Sequence, residues 1–336
     1  MNDLAERLHK ASIIIDGTCP LLAKRKFVDW YIEGGCTVVT PTVGGFHPMA
    51  DTLAVIGRWL DLIRDRPDLV LVEHAGQVVD AKQTGKTGVV FHLQGAEAVG
   101  DNLNLIDVVK RLGVGIIQLT YNVENRLGYG CQTEDKGLKP FGRAFIDRCN
   151  QAKVIVDCSH TGYRTTMDTI EYSDRPVIFS HANPMALWHT QSARNVEDDQ
   201  IRAIAESGGL TGVTGFPGFI SGPKQPSLQR FIEHIDHLVE VGGIDHVALG
   251  IDYYLGQWPV VEGEAAQAEW QSMVDGGHWQ GPEYPAPPHK YPAGIETPQT
   301  LPAITAGLLD RGYSSEDVQK IMGLNLLRLY RDIWGD

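Results

Sequence analysis

Eight short runs of apolar and β-branched residues recur along the chain, at 11–16, 36–42, 88–94, 115–120, 154–157, 176–180, 209–214 and 246–251. Most of them are followed by a longer stretch of helical period. A strand followed by a crossover helix, repeated, is what a parallel sheet demands, because parallel neighbours cannot be joined by a tight turn. Eight such runs suit a closed barrel better than an open doubly wound sheet of about five or six strands. The expected fold class is therefore α/β, a (β/α)8 TIM barrel, as one domain spanning 1–336. That length is large for a single domain, but barrels of this kind run past about 250 residues as one unit.

Helical periodicity is clearest at 51–65, 103–112, 141–151, 198–207, 228–241 and 315–334. In the last of these, Ser315 is expected as N-cap with Asp317 in the first turn. Val318, Ile321, Met322, Leu326, Leu329 and Ile333 then make an apolar stripe at spacings of three and four, the mark of a helix covering the barrel. Between 256 and 298 the composition changes: Trp258, Trp270, Trp279 and the run PEYPAPPHKYP crowd one segment. A loop after the eighth strand lies at the C-terminal face of the barrel, where it forms the rim of a pocket or a dimer contact.

Composition narrows the partners. Hydrophobic residues at 43% and charged residues at 21% supply an ordinary soluble core. A net charge of -13 without a Lys/Arg cluster argues against nucleic acid and against an anionic membrane, since both need concentrated positive charge. A small-molecule substrate is expected instead, and a homodimer is a compatible assembly. No run of about 18 apolar residues marks a transmembrane helix. The opening segment 1–10 is polar and amphipathic, unlike a secretory signal. The five cysteines, Cys19, Cys36, Cys131, Cys149 and Cys158, are odd in number and lack CxxC spacing, which reads as a reduced, cytoplasmic chain.

In a parallel barrel the reactive side chains project from the C-terminal ends of the strands. Three polar residues hold such places: His160 in VDCSH, His181 in IFSH and Asp252 in ALGID. A lone histidine at a strand end is more often a hydrogen-bonded structural residue than a ligand. Two on neighbouring strands with a strand-eight carboxylate reverse those odds, because such a set can hold a borderline-soft cation and deprotonate a water. His47, His189, His234, His237 and His289 have no matching partners and are assigned to the surface or the rim.

Ordered motifs run almost the whole length: IDG near residue 15, QGAEAV from Gln94, QLTYNVEN from Gln118, KGLKPFGR from Lys136, VDCSH, PVIFSHANP, ARNVEDDQ from Ala193, GGLTGV from Gly208, LGIDYY and the tail GYSSEDVQKIMGLNLLRLY. On these the sequence resembles the renal (membrane) dipeptidase family, zinc peptidases of the amidohydrolase superfamily built on a (β/α)8 barrel. The resemblance implies that His160 and His181 bind the second zinc of that family's pair and that Asp252 serves the first zinc and the water. It gives Arg194 the substrate carboxylate, where the bland reading is a surface ion pair with Glu197 or Asp198. Tyr121, Asn122 and Tyr254 fall at substrate-facing places.

The chain also departs from that family. Thr18-Cys19-Pro20 stands where the family's first strand supplies a His-x-Asp ligand pair, Gln94 replaces the bridging Glu, Tyr121 a substrate-facing His, and Tyr254 a carboxylate. A neutral amide cannot balance two dications. One Zn²⁺ per chain at most is expected, held by His160, His181 and Gln94, with Asp252 as general base and Tyr121 hydrogen-bonding the oxyanion. The alternative is a metal-independent lyase, isomerase or hydratase in which Asp252, His160 and Tyr121 exchange protons, or a binding relic without turnover. Cys19 is read as a nucleophile, a soft ligand or, with more weight, a buried thiol. His92 is read as a ligand from one layer deeper or, with more weight, a hydrogen-bonded core residue.

Overall fold

The structure is a computed structural model that describes residues 3–222, 224–260 and 262–336. Met1 and Asn2 of the opening segment, and Val261 of the rim, lie outside the described residues. The strands are β1 (Ile15–Cys19), β2 (Val38–Gly44), β3 (Leu69–Leu71), β4 (Thr87–Val89), β5 (Phe91–Leu93), β6 (Val114–Gln118), β7 (Ile155–Asp157), β8 (Thr211–Val213) and β9 (Val247–Leu249). Every pairing between them is parallel. The hydrogen-bonded path runs β7-β6-β5-β2-β1-β9-β8, with β4 beside β2 and β3 beside β4.

The two ends of this path are joined by the sixth apolar run. Ile178 bridges to Asp157 of β7, and Phe179 bridges to Thr211 of β8. Backbone bonds from Cys158 N to Ile178 O at 2.7 Å and from Gly212 N to Phe179 O at 2.7 Å complete the ring. The fold is thus the (β/α)8 TIM barrel. Glycine is needed at the seam. A Cβ on Gly212 would fall 2.0 Å from Ser180 O, and one on Gly250 would fall 1.9 Å from the same atom.

Local chemistry explains where the elements differ from the sequence reading. The run 88–94 divides into β4 and β5, because β2 pairs with β4 through Val38 and Val39 and then with β5 through Thr42 and Gly44, across a shift in register. β1 starts at Ile15, since the residues up to Ala11 end a helix, Asp3–Ala11. The expected helices stand at Met49–Asp65, Leu105–Arg111, Pro140–Ala152, Asp198–Glu206 and Leu228–Gly242, and the rim carries a further helix, Gly263–Asp275. The C-terminal helix forms in pieces from Ser315 to Trp334. Its N-cap is Ser314 rather than Ser315: the Ser314 hydroxyl accepts the Asp317 N–H at 3.1 Å.

That last helix closes the barrel floor. Ile15, Val38, Val90, Ile116, Ile155, Ile178, Leu210 and Ala248, one from each barrel position, pack as one buried cluster with Leu326, Leu329, Tyr330, Ile333 and Trp334. The floor is apolar and sealed, so the polar groups gather at the opposite, C-terminal mouth. Among the described residues no helix is long and apolar enough to cross a membrane.

Candidate active site

Among the described residues five non-glycine residues have left-handed backbone, and four of them surround the barrel mouth: Asn122 (φ 59°), His160 (φ 62°), Ala193 (φ 49°) and Asp252 (φ 62°). The fifth, Lys153, ends a helix. Such conformations are uncommon for L-residues and persist only where the surroundings hold them, which is typical of working sites. Here they turn the chain just after a strand, or just before Arg194, and set four side chains in the mouth.

His160 and His181 meet there. Their Nε2 atoms are 2.9 Å apart, and both rings are buried. The opposite nitrogens are tied down. His160 Nδ1 lies 2.6 Å from Asn122 Oδ1, and the amide cannot turn over because Asn122 Nδ2 donates to His278 O at 2.6 Å. His181 Nδ1 lies 2.7 Å from Ser180 Oγ, which itself donates to Asp157 Oδ2 at 2.5 Å. Asp157 Oδ1 accepts the N–H groups of Ser159 and Ser180, each at 2.9 Å. With acceptors at both Nδ1 positions, both rings are assigned as the Nδ1–H tautomer. Burial, and then the Arg194 charge, hold both pKa values well below the ordinary 6.5, so neither ring carries a second proton at neutral pH.

Two lone pairs therefore face each other across 2.9 Å. That contact calls for an electrophile against both nitrogens. Arg194 Nη2 supplies part of one, 3.2 Å from His160 Nε2 and 2.8 Å from His181 O. The chemistry of this donor set fits one borderline-soft cation, with the Gln94 amide lining the same pocket as His160. It does not extend to two. Pro20 has no donor, and Thr18 Oγ1 faces His181 Nδ1 at 3.4 Å. Cys19 is fully buried, its thiol donating to Asp16 O at 3.5 Å and its pKa pushed far up by burial and by Asp16. This is the packed thiol, not a nucleophile. Among the described residues no three His, Cys, Asp or Glu side chains converge at metal-ligand spacing. The shell offered to a cation is thin, two imidazoles and an amide.

The remaining residues frame a narrow cleft of about 20 Å³, lined by Gln94, Tyr121, His160, Phe216, Phe219, Asp252, Tyr254, Trp279 and Tyr284. Asp252 is buried, and desolvation raises its pKa to about 8, with Arg194 pulling the other way and Asp16 adding to the rise. Tyr121 stacks on His160 with ring centroids 4.0 Å apart, and its oxygen accepts the Trp279 indole N–H at 3.0 Å. Its own proton, kept on by burial, stays free for the cleft. Arg194 is only 1% exposed, which rules out the surface ion pair. Its guanidinium lies 4.6 Å from the Phe219 ring centroid, and its Nε and Nη1 are buried without partners.

Other residues fall differently from the sequence reading. Asn122 bonds His160, His278 and Tyr284 through its side chain, and so holds the histidine. His92 is a core residue 3.2 Å from Asp157 Oδ2, too deep to act as a ligand. His234 and His289 are buried, not on the surface: an aromatic wall and a carbonyl cover them. Asp157, Ser180, Phe216, Phe219 and Tyr284 carry no sequence signal of their own, because each acts through a neighbour on another element. Trp279 could have been found in the Trp-rich rim.

Comparison with known proteins places this geometry. The family model for membrane dipeptidases, peptidase family M19, matches residues 36–273 and 284–334. The chain belongs to the membrane dipeptidase family. An amidohydrolase of known structure from Pseudomonas aeruginosa is 32% identical, with a TM-score of 0.89 over 99% of each chain. A metallopeptidase from Rhodobacter sphaeroides, crystallised with a phosphinate mimic of the dipeptide L-Ala-D-Ala, is 22% identical with a TM-score of 0.78 over 96% of this chain and 100% of its own, a likeness of fold. Dipeptidase tcpJ of Claviceps purpurea is 27% identical over 293 residues, covering 85% of this chain. This chain spans 60% of the length of that curated relative.

Proposed function

We propose that the protein hydrolyses the amide bond of a small, carboxylate-bearing, dipeptide-like substrate, using at most one zinc ion. The observation that carries this reading is the convergence of two imidazole Nε2 atoms, 2.9 Å apart, beside a buried guanidinium with two unpartnered donors. His160 and His181 would hold the ion, with Gln94 beside them. Zinc in such a shell supplies a water acidified to near neutrality and a Lewis acid for the carbonyl.

The chain's own residues do the rest. Arg194, whose Nε and Nη1 are without partners, offers charge-assisted hydrogen bonds to the substrate carboxylate. Asp252 takes a proton from the attacking water once it is ionised, and passes one on to the leaving amine. Tyr121, with its hydroxyl proton uncommitted, donates to the oxygen that gains charge. The five free, buried cysteines suit a reducing compartment, the cytoplasm.

The test is a hydrolysis screen of dipeptides and N-acyl amino acids, with and without added Zn²⁺. Release of amino acid that rises with zinc supports the reading. Turnover of neither class under either condition would refute it.

A further inference from the structure

One acidic side chain of the cleft, Asp252, has no hydrogen-bonding partner among the described residues; the strongest charge acting on it is that of Arg194. The Asp252 carboxylate is buried, faces the cleft, and takes part in no hydrogen bond or ion pair to any described side chain or N–H. A buried carboxylate is costly unless a cation or donors accompany it. Thr18, Cys19 and Pro20 at the end of β1 add no charge beside it. A cation carried by the ligand would meet that need and hold Asp252 ionised.

The surrounding wall says what kind of cation. Rings form an unbroken circuit beside Asp252: Tyr254 to Trp279 at 5.2 Å, Trp279 to Tyr284 at 5.3 Å, Tyr284 to Phe216 at 6.4 Å, Phe216 to His289 at 5.1 Å and His289 back to Tyr254 at 6.2 Å. Their oxygens are engaged elsewhere. Tyr121 Oη accepts from Trp279, Tyr284 Oη is bonded to Asn122, and Tyr254 Oη is drawn onto Glu269 at 2.5 Å. A primary ammonium needs about three acceptors, and this wall offers one carboxylate and π-faces. An N-methylated ammonium needs no acceptors, spreads its charge over the methyl groups, and is the cation that aromatic cages select.

We propose that the site is specific for a small amide with an N-methylated ammonium on its acyl side, seated between Asp252 and the Tyr254–Trp279–Tyr284–Phe216 wall, while the carboxylate end lies on Arg194. This rests on the amide–carboxylate reading above and adds the substrate class. Asp252 then has two duties in sequence: it accepts the cationic end, and the same charge keeps it ionised to act as base.

Three amides sharing one carboxylate end test it: glycyl-alanine, N,N,N-trimethylglycyl-alanine, and 3,3-dimethylbutanoyl-alanine, in which carbon replaces the charged nitrogen. Binding to the full chain is followed by calorimetry. The trimethylammonium compound should bind at least about tenfold more tightly than its carbon isostere, and more tightly than glycyl-alanine. Asp252→Asn and Tyr254→Leu should each shrink that margin, the two variants guarding against a folding defect in either. Equal binding of the charged and neutral isosteres, or preference for glycyl-alanine, would overturn the inference while leaving the amide–carboxylate reading intact. Binding of none of the three would overturn both.

Discussion

At the scale of single residues, burial governs what each group can do. Asp252 illustrates this: an ordinary carboxylate would serve as a base throughout the neutral range, but desolvation lifts it to about 8. A base must be deprotonated to act, so kcat/KM, which reports the free enzyme, should climb with rising pH and level off above about 8. A pH profile flat between about 6 and 9 would remove Asp252 from that role. The three strand-end residues were readable from sequence because an apolar run followed by His or Asp is a local pattern. Asp157, Ser180 and Asn122 were not readable in their roles, because fixing a tautomer depends on a partner dozens of residues away. Arg194 shows the limit from the other side. Its neighbours in sequence, Glu197 and Asp198, suggest an exposed pair, while the fold buries it against Phe219 and His160.

At the scale of elements, the β-branched runs located the barrel, since eight repeats of strand and crossover leave few topologies. Boundaries were less legible. β3 and β5 are three residues long each, and β2 changes partner from β4 to β5, so neither short strand presents a period long enough to read. The sixth barrel position, around Ile178 and Phe179, holds its place through isolated bridges and two glycines on its neighbours, a packing feature invisible to periodicity. The rim helix Gly263–Asp275 was masked by the Pro-rich residues that follow it. The cap of the C-terminal helix gives a sharp test. Ser314→Ala should destabilise the protein by about 1 kcal/mol, because it removes the acceptor for Asp317 N–H, whereas Ser315→Ala should stay within about 0.5 kcal/mol. Chemical denaturation of both variants would expose a wrong cap if the larger loss fell on Ser315.

At the scale of the whole molecule, neutral buried histidines set the acid limit. His234 is lowered to about 3 and His289 to about 4 by burial, and His9, His160 and His181 are lowered as well. Folded-state values below the unfolded 6.5 mean that the unfolded chain binds protons first. These groups therefore leave stability intact above about pH 6.5 and erode it as the pH falls through that value toward 4 and 3. The denaturation midpoint should drop steadily from pH 7 to pH 5, and an unchanged midpoint would contradict the burial of these rings.

The proposed site gives the central prediction at this scale, since the proposed function places at most one cation at the His160 and His181 imidazoles. Zinc titration by equilibrium dialysis should saturate at one ion per chain, with His181→Ala losing that ion and Tyr121→Phe retaining it. Two ions per chain, or equal zinc content in the two variants, would contradict this account of the site.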